Sequence, residues 1–361
     1  MTPAVSICMP HLNSQPFTRP RMDSIVQQTL PDWELIIVDS NSDDGSREIL
    51  EQYARGDSRI RIEHGPRDGI YTNINRAIEM ASGKYVYIAT SDDTMAPECL
   101  ERMVSILEQH PDCGLCQSGL EIVDADGRAE IKDAWENWRR QKQCFGQWLK
   151  IPHVRRAPHD GIMHLGLGTV YGSLTQLLIR KRVFDELGLF RTDYSPHADF
   201  EWGMRVGLNE NIVYLPAKLA SWRRHDRQAT QLNGQLGMIA RGEFRRLTQF
   251  ALAAHKARNP SLVKALKRSR LQHFYLVDEF SMRRRSTDSK AKRLLRMAGF
   301  VGKHPRFSLQ WLFHKCFRTG GLVEDFAQAV EKEFAKLGLR DLREQVREQS
   351  PAVPQPSAAT R

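Results

Sequence analysis

The stretch Trp33-Glu34-Leu35-Ile36-Ile37-Val38 is apolar at five of its six positions. A strand with one face in water alternates apolar and polar residues; a run this continuous belongs in a sheet covered on both faces. Val5–Met9, Ile60-Arg61-Ile62 and Tyr85–Ala89 are β-rich runs of similar kind. Helical stretches separate them: Pro20–Gln28, Arg47–Arg55 and Gly69–Ala81, with Pro97–Gln109 after the last. Strands that alternate with crossover helices are held parallel, and the helices cover both faces. The expected class is α/β: a Rossmann-like, mostly parallel sheet with helices on both faces.

Beyond residue 110 the pattern loosens. Gly114–Gly119 reads as a strand after Pro111-Asp112. Cys113-x-x-Cys116 has no second Cys pair or His pair to complete a zinc site, so these cysteines read as small buried hydrophobes. Residues 127–170, irregular and rich in Trp, His and Arg, read as an inserted loop or small helical excursion over the sheet edge, of the kind that often carries specificity. Leu174–Ile179 resembles a strand, Lys181–Leu187 a helix stopped at Gly188, and Asp199–Gly207 a helix. We expect an α/β domain over 1–230, a basic helical C-terminal region over 231–349, and a disordered proline-containing tail over 350–361.

Charge divides the same way. The net is −5 over 1–230 and +15 over 231–361. So basic a C-terminal part suits an acidic partner, either a membrane surface or a nucleic acid. In residues 303–318 cations interleave with aromatics, a composition suited to peripheral contact with an anionic membrane or to a solvated helical subdomain. No apolar run is long enough to span a bilayer and the first residues lack a signal-peptide pattern, so the expected location is cytoplasmic, at the inner face of the cell membrane if that contact forms.

Asp92 and Asp93 follow the run Lys84–Ser91. Two adjacent carboxylates at the carboxyl edge of a parallel sheet repel each other at the place where such sheets bind ligands. A hard divalent cation such as Mg²⁺, shared with substrate phosphates, relieves that repulsion. A solvated acidic turn is the alternative.

Five further segments share the order of this pair along the chain: Val5-Ser6-Ile7-Cys8-Met9-Pro10-His11-Leu12-Asn13; Val38-Asp39 with Asp43-Asp44-Gly45-Ser46; Gly69-Ile70-Tyr71 through Asn75; Ala81-Ser82-Gly83-Lys84; and His197-Ala198-Asp199 with Arg223-Arg224-His225. Over residues 4–230 this ordered set resembles the family 2 glycosyltransferases of GT-A fold, of the type that builds bacterial surface polysaccharides. The resemblance implies roles. Asp39 contacts the base or ribose of a sugar nucleotide. The nucleotide lies against Pro10 and Asn13. Arg67 pairs with phosphate and Asp68 with ribose or base, or both are surface charges. Asn75 ties the nucleotide loop in place. Asp93 ligates a metal, Asp92 contacts ribose or a metal-bound water, and His225 completes the metal site. The ion is Mn²⁺ or Mg²⁺, the imidazole favouring Mn²⁺. Asp199 is the general base, although the acid that precedes it in many members is Ala198 here.

The implied reaction is an inverting transfer of a sugar from a nucleoside diphosphate, UDP favoured, to a hydroxyl of a glycan or lipid-linked acceptor in surface-polysaccharide synthesis. Competing classes lack their signatures. There is no Gly-x-Gly-x-x-Gly after the first strand for a nicotinamide cofactor, and no Gly-rich Arg/Lys loop for a nucleotidyltransferase. A glycoside hydrolase would leave the nucleotide motifs unexplained. A nucleic-acid-binding or scaffold protein on a degenerate fold is the non-enzyme alternative; no nucleic-acid motif supports it, and no nucleic-acid partner is expected.

Overall fold

The structure is a computed structural model and describes residues 2–130, 139–167, 169–194, 198–226, 239–269, 271, 289–305, 308–309 and 326–348. β1 (Val5–His11), α1 (Gln15–Val26), β2 (Trp33–Asp39), α2 (Ser46–Gly56), β3 (Ile60–His64), α3 (Ile70–Met80) and β4 (Tyr85–Ile88) alternate along the first part of the chain. The four strands form a parallel block in the order β3-β2-β1-β4. Side chains of β2 feed two separate cores, as a two-residue period requires. Ile36 and Val38 join Ile74 and Ile78 of α3; Leu35 and Ile37 join Met22 and Ile25 of α1 and Leu50 of α2. Both faces are therefore dry, and the apolar run has its reason.

The chain continues as β5 (Thr94–Met95), α4 (Cys99–Gln109), β6 (Cys113–Val123), α5 (Arg139–Phe145), β7 (His153–Arg155), α6 (His159–Leu167), β8 (Leu177–Arg180), α7 (Lys181–Leu187), α8 (Ala198–Asn209) and β9 (Asn211–Arg223). With β10 (Arg343–Gln345) they complete one sheet in the order β10-β7-β9-β6-β8-β4-β1-β2-β3, and β5 pairs with β9. The long ladders are parallel, including β6 with β9 from Cys113↔Asn211 to Val123↔Arg223. The antiparallel pairings of β5, β7, β8 and β10 run for only two or three residues each. The sheet is mixed and mainly parallel, with helices on both faces. Cys113 and Cys116 are buried free thiols.

Three features differ from expectation. Helix α1 begins at Gln15, not Pro20. The Asp44 carboxylate accepts the Gln15 N–H at 2.8 Å, and Pro16 occupies the first turn, where a missing N–H costs no helical bond. Strand β9, which sequence analysis did not anticipate, carries the chain back across the sheet to the edge where β4 ends. The second half of 127–170 is built into the body: β7 lies between β9 and β10, and α6 packs on α8. That packing is close, since a Cβ on Gly207 would sit 2.5 Å from the Gly161 nitrogen.

A buried ion pair joins β7 to α6. Arg155 Nε and Nη2 donate to Asp160 Oδ1 and Oδ2 at 2.8 and 2.9 Å. Both side chains are out of water. Burial raises the Asp160 pKa, but Arg155 and His159 outweigh it and hold the carboxyl well below the usual range. Its folded pKa is depressed, so the stability it contributes is present above the unfolded value, near 4, and is lost as pH falls toward the folded one. We expect Asp160→Asn to strand the Arg155 charge and cost about 3 kcal/mol in urea unfolding at pH 7. The gap to wild type should narrow on acidification; a gap independent of pH would contradict this account.

In the C-terminal region, helices cover Ile239–His255, Pro260–Arg268, Lys290–Lys303 and Phe326–Lys336. Ala251, Leu252, Val263, Leu266, Val330 and Phe334 join the same core as α3 and α8. The expected tail 350–361 and most of 303–318 lie outside the described residues. Among the described residues no helix is long and apolar enough to cross a membrane.

Candidate active site

The carboxyl ends of β1, β2 and β4 open on one edge, and the loops there are laced together. Asn13 has a left-handed φ of 48°, which asparagine tolerates. Its amide exchanges two hydrogen bonds with Asp43: Nδ2 donates to Asp43 Oδ1 at 2.8 Å, and the Asp43 N–H donates to Asn13 Oδ1 at 3.0 Å. Ser42 Oγ accepts from the Asn13 N–H at 3.1 Å. The Pro10 carbonyl accepts from Ser91 Oγ at 2.7 Å, which fixes the first loop to the loop that carries Asp92.

Asp39 sits fully buried at the end of β2. It accepts from Ser42 Oγ at 2.5 Å and from Arg47 Nε and Nη2 at 3.0 and 2.8 Å. Burial pushes its pKa up, but the Ser42 and Arg47 bonds prevail and hold it below the ordinary value, so it is a carboxylate at neutral pH. Sequence analysis missed Arg47, because its place in the first turn of α2 gives no sign that the chain bends its guanidinium back over the strand end. His11, also unanticipated, is the register partner of Asp39. It is buried, and burial holds it neutral.

Arg67 clamps the second loop through the Ser40 and Asn41 carbonyls, at 3.3 and 2.9 Å, and the Asp43 carboxylate at 2.7 Å. Asp68 is paired with Arg76 at 2.8 Å. Asn75 is held elsewhere: its amide bonds the Phe190 carbonyl and N–H at 2.8 and 3.1 Å. The α3 residue bonded to the loop after β2 is Asn73, whose amide donates to Ser40 Oγ at 2.5 Å. A helix turns 100° per residue, so two positions apart means opposite sides.

The two acids after β4 part company. Asp93 turns inward and is 2% exposed. Thr90 Oγ1 donates to its Oδ2 at 2.5 Å and the Arg223 N–H to its Oδ1 at 2.8 Å. Burial, then the Asp92 charge, push its pKa up to about 7. Asp92 turns outward and meets His225, with Nε2 3.0 Å from Oδ2. Phe17 flanks the imidazole at 4.4 Å between ring centroids. Arg223 secures the turn by donating to the Asp92 and Ala125 carbonyls at 2.8 and 2.9 Å.

Two ligand atoms about 3 Å apart fit adjacent positions around an octahedral ion with bonds of roughly 2.1 Å. Asp92 and His225 meet that spacing. Among the described residues no three His, Cys, Asp or Glu side chains converge. An ion here would therefore take its other ligands from water or a substrate diphosphate, as Mg²⁺ and its relatives commonly do.

Asp199 lies in the first turn of α8 and is exposed. The Phe200 N–H donates to its Oδ1 at 2.9 Å. Its second neighbour is Tyr71, whose hydroxyl pKa rises well above the ordinary value through burial and then through the charge and hydrogen bond of Asp199. Tyr71 stands in the Gly-Ile-Tyr stretch noted from sequence, which thus links α3 to the start of α8.

EpsJ of Bacillus subtilis, an uncharacterized glycosyltransferase, is 37% identical over 110 residues, 30% of this chain and 32% of EpsJ. TuaG of the same organism, provisionally named a teichuronic acid biosynthesis glycosyltransferase, is 33% identical over 126 residues, 35% of this chain and 50% of TuaG. The chain thus spans a third to a half of these relatives. S. aureus TarS residues 1–349, solved in complex with UDP, shares the fold at 16% identity and a TM-score of 0.56, over 92% of this chain and 91% of that one. The pattern described as glycosyl transferase family 2 matches residues 6–186, which begin in β1, contain Asp39 and the Asp92-Asp93 turn, and run into α7. With half the chain matched and its motifs on these strand ends, this protein belongs to glycosyl transferase family 2.

Proposed function

We propose that the protein moves a sugar, with inversion, from a nucleoside diphosphate to a hydroxyl of a glycan or lipid-linked acceptor in surface-polysaccharide synthesis. One observation carries the reading. Asp39, Asp92 and His225, distant in sequence, stand on one sheet edge, and the last two are 3.0 Å apart. Asp39 accepts a bond from the base or ribose, between the loops of Pro10 and Asn13. Arg67 keeps the second loop shaped for the nucleotide. Asp68 and Asn75 support α3 and its neighbours, one through Arg76 and the other through Phe190.

Asp92 and His225 are the residues we assign to the divalent ion. Asp93, expected from sequence to be the ligand, is instead given the task of holding β9 against the turn, since it bonds the Arg223 N–H there while Asp92 is the acid that meets His225. An ion bound there supplies positive charge to a leaving diphosphate. Asp199 takes the proton of the acceptor hydroxyl as its oxygen forms the bond to the anomeric carbon; the bond to the diphosphate oxygen breaks on the opposite face. The charge of Asp39, set below its ordinary pKa, makes it an acceptor at all working pH values.

UDP is the favoured nucleotide. TarS has been solved with UDP and with UDP-GlcNAc, whereas a Pyrobaculum calidifontis mannosyltransferase of the same fold, at 15% identity and a TM-score of 0.50, was solved with GDP-Man and Mn²⁺. Calorimetric titration of UDP, GDP and dTDP, each with and without Mn²⁺, tests the proposal. Saturable binding of one nucleotide, strengthened by Mn²⁺, is the expected result; failure of all three would sink it. Asp39→Asn should weaken that nucleotide by about tenfold, the loss expected for one hydrogen bond to a charged group. An unchanged affinity would remove Asp39 from the donor site.

A further inference from the structure

The helix Lys290–Lys303 has a surface the transferase reading leaves unused. It carries Lys290, Lys292, Arg293, Arg296 and Lys303, and no acid. Phe300, 1% exposed, anchors it to the protein. At 100° per residue, Leu294, Val301 and Leu295 fall within an arc of about 120° whose centre lies roughly opposite Phe300. These side chains stand in solvent: Leu294 is 71% exposed, Leu295 75% and Val301 43%. Exposed Lys290 borders the arc on one side, and exposed Lys292 and Lys303 lie on the other. Leu309, beyond the helix, adds another apolar side chain at 67% exposure.

A lone exposed leucine needs no explanation, but an apolar arc with cations on both borders and no acid among them has a specific complement. Apolar side chains enter the acyl boundary of a bilayer while flanking Lys and Arg meet anionic headgroups. A nucleic acid would satisfy the cations and leave the leucines in water. We propose that helix 290–303 docks the protein on an anionic phospholipid bilayer, Leu294, Leu295 and Val301 inserted and Lys290, Lys292 and Lys303 at the headgroups. The proposal does not depend on the sugar-transfer reading.

Flotation of the full chain with vesicles tests it, using phosphatidylcholine alone or with about 30% phosphatidylglycerol. We expect about tenfold more protein on the anionic vesicles. Leu294→Ser with Leu295→Ser should lose that binding although every cation remains. Lys290→Gln with Lys292→Gln should lose it although every apolar residue remains. Both variants should melt with wild type, since the changed residues lie on the outer part of the helix. Wild type that ignores anionic vesicles overturns the proposal. So does a serine variant that floats like wild type, which would mean attraction to any polyanion.

Discussion

Asp199→Asn is expected to lower kcat/KM by about 10²–10⁴, the range for loss of a positioned general base, while donor nucleotide affinity stays within about twofold. The position of the residue supports both halves of that result. Asp199 is exposed in the first turn of α8, where an acceptor hydroxyl can reach it. One oxygen takes the Phe200 N–H at 2.9 Å, and the Tyr71 hydroxyl bonds the same carboxylate. The amide of Asn keeps a hydrogen-bonding shape but takes no proton. The proposed nucleotide contacts lie on the other loops, so titration should not register the change. Equal loss of affinity and rate would mean Asp199 binds substrate; unaltered rate would remove it as base.

Asp92→Ala is expected to abolish the Mn²⁺-dependent part of nucleotide binding and to lower kcat by about 10²–10³, the scale for losing a group that stabilises developing negative charge. Asp93→Ala separates the two acids. It removes the acceptor for the buried Arg223 N–H and should cost about 1–3 kcal/mol of stability. Mn²⁺ dependence should survive in the folded fraction. The reverse pattern, with metal dependence lost only in Asp93→Ala, would return the metal to the residue sequence alone favoured. Chelation of wild type with EDTA should reproduce the Asp92→Ala titration.

The parallel block was legible in the sequence because its strands are covered on both faces, so their residues are apolar at consecutive positions. Each strand then ends where polar residues begin, which located Asp39 and the Asp92-Asp93 turn within a residue. Lys181–Leu187 and its stop at Gly188 were legible for a local reason too: the glycine adopts a φ of 86°. Strand β9 was not. Pro216 interrupts it, and its Ile212–Leu215 run is short enough to suit helix or strand. Strands β7 and β10 are three residues each and owe their pairing to neighbours. Ion pairs such as Arg47 with Asp39 leave no periodic trace.

Local patterning therefore determined by itself that this chain forms an α/β sheet with carboxylates at its carboxyl edge, because burial and turn chemistry act over a few residues. Which carboxylate does what was decided only by tertiary structure. Neighbouring residues point opposite ways along an extended chain. The return of β9 placed the Arg223 N–H on the inner side of the turn, against Asp93, and the His225 imidazole on the outer, against Asp92.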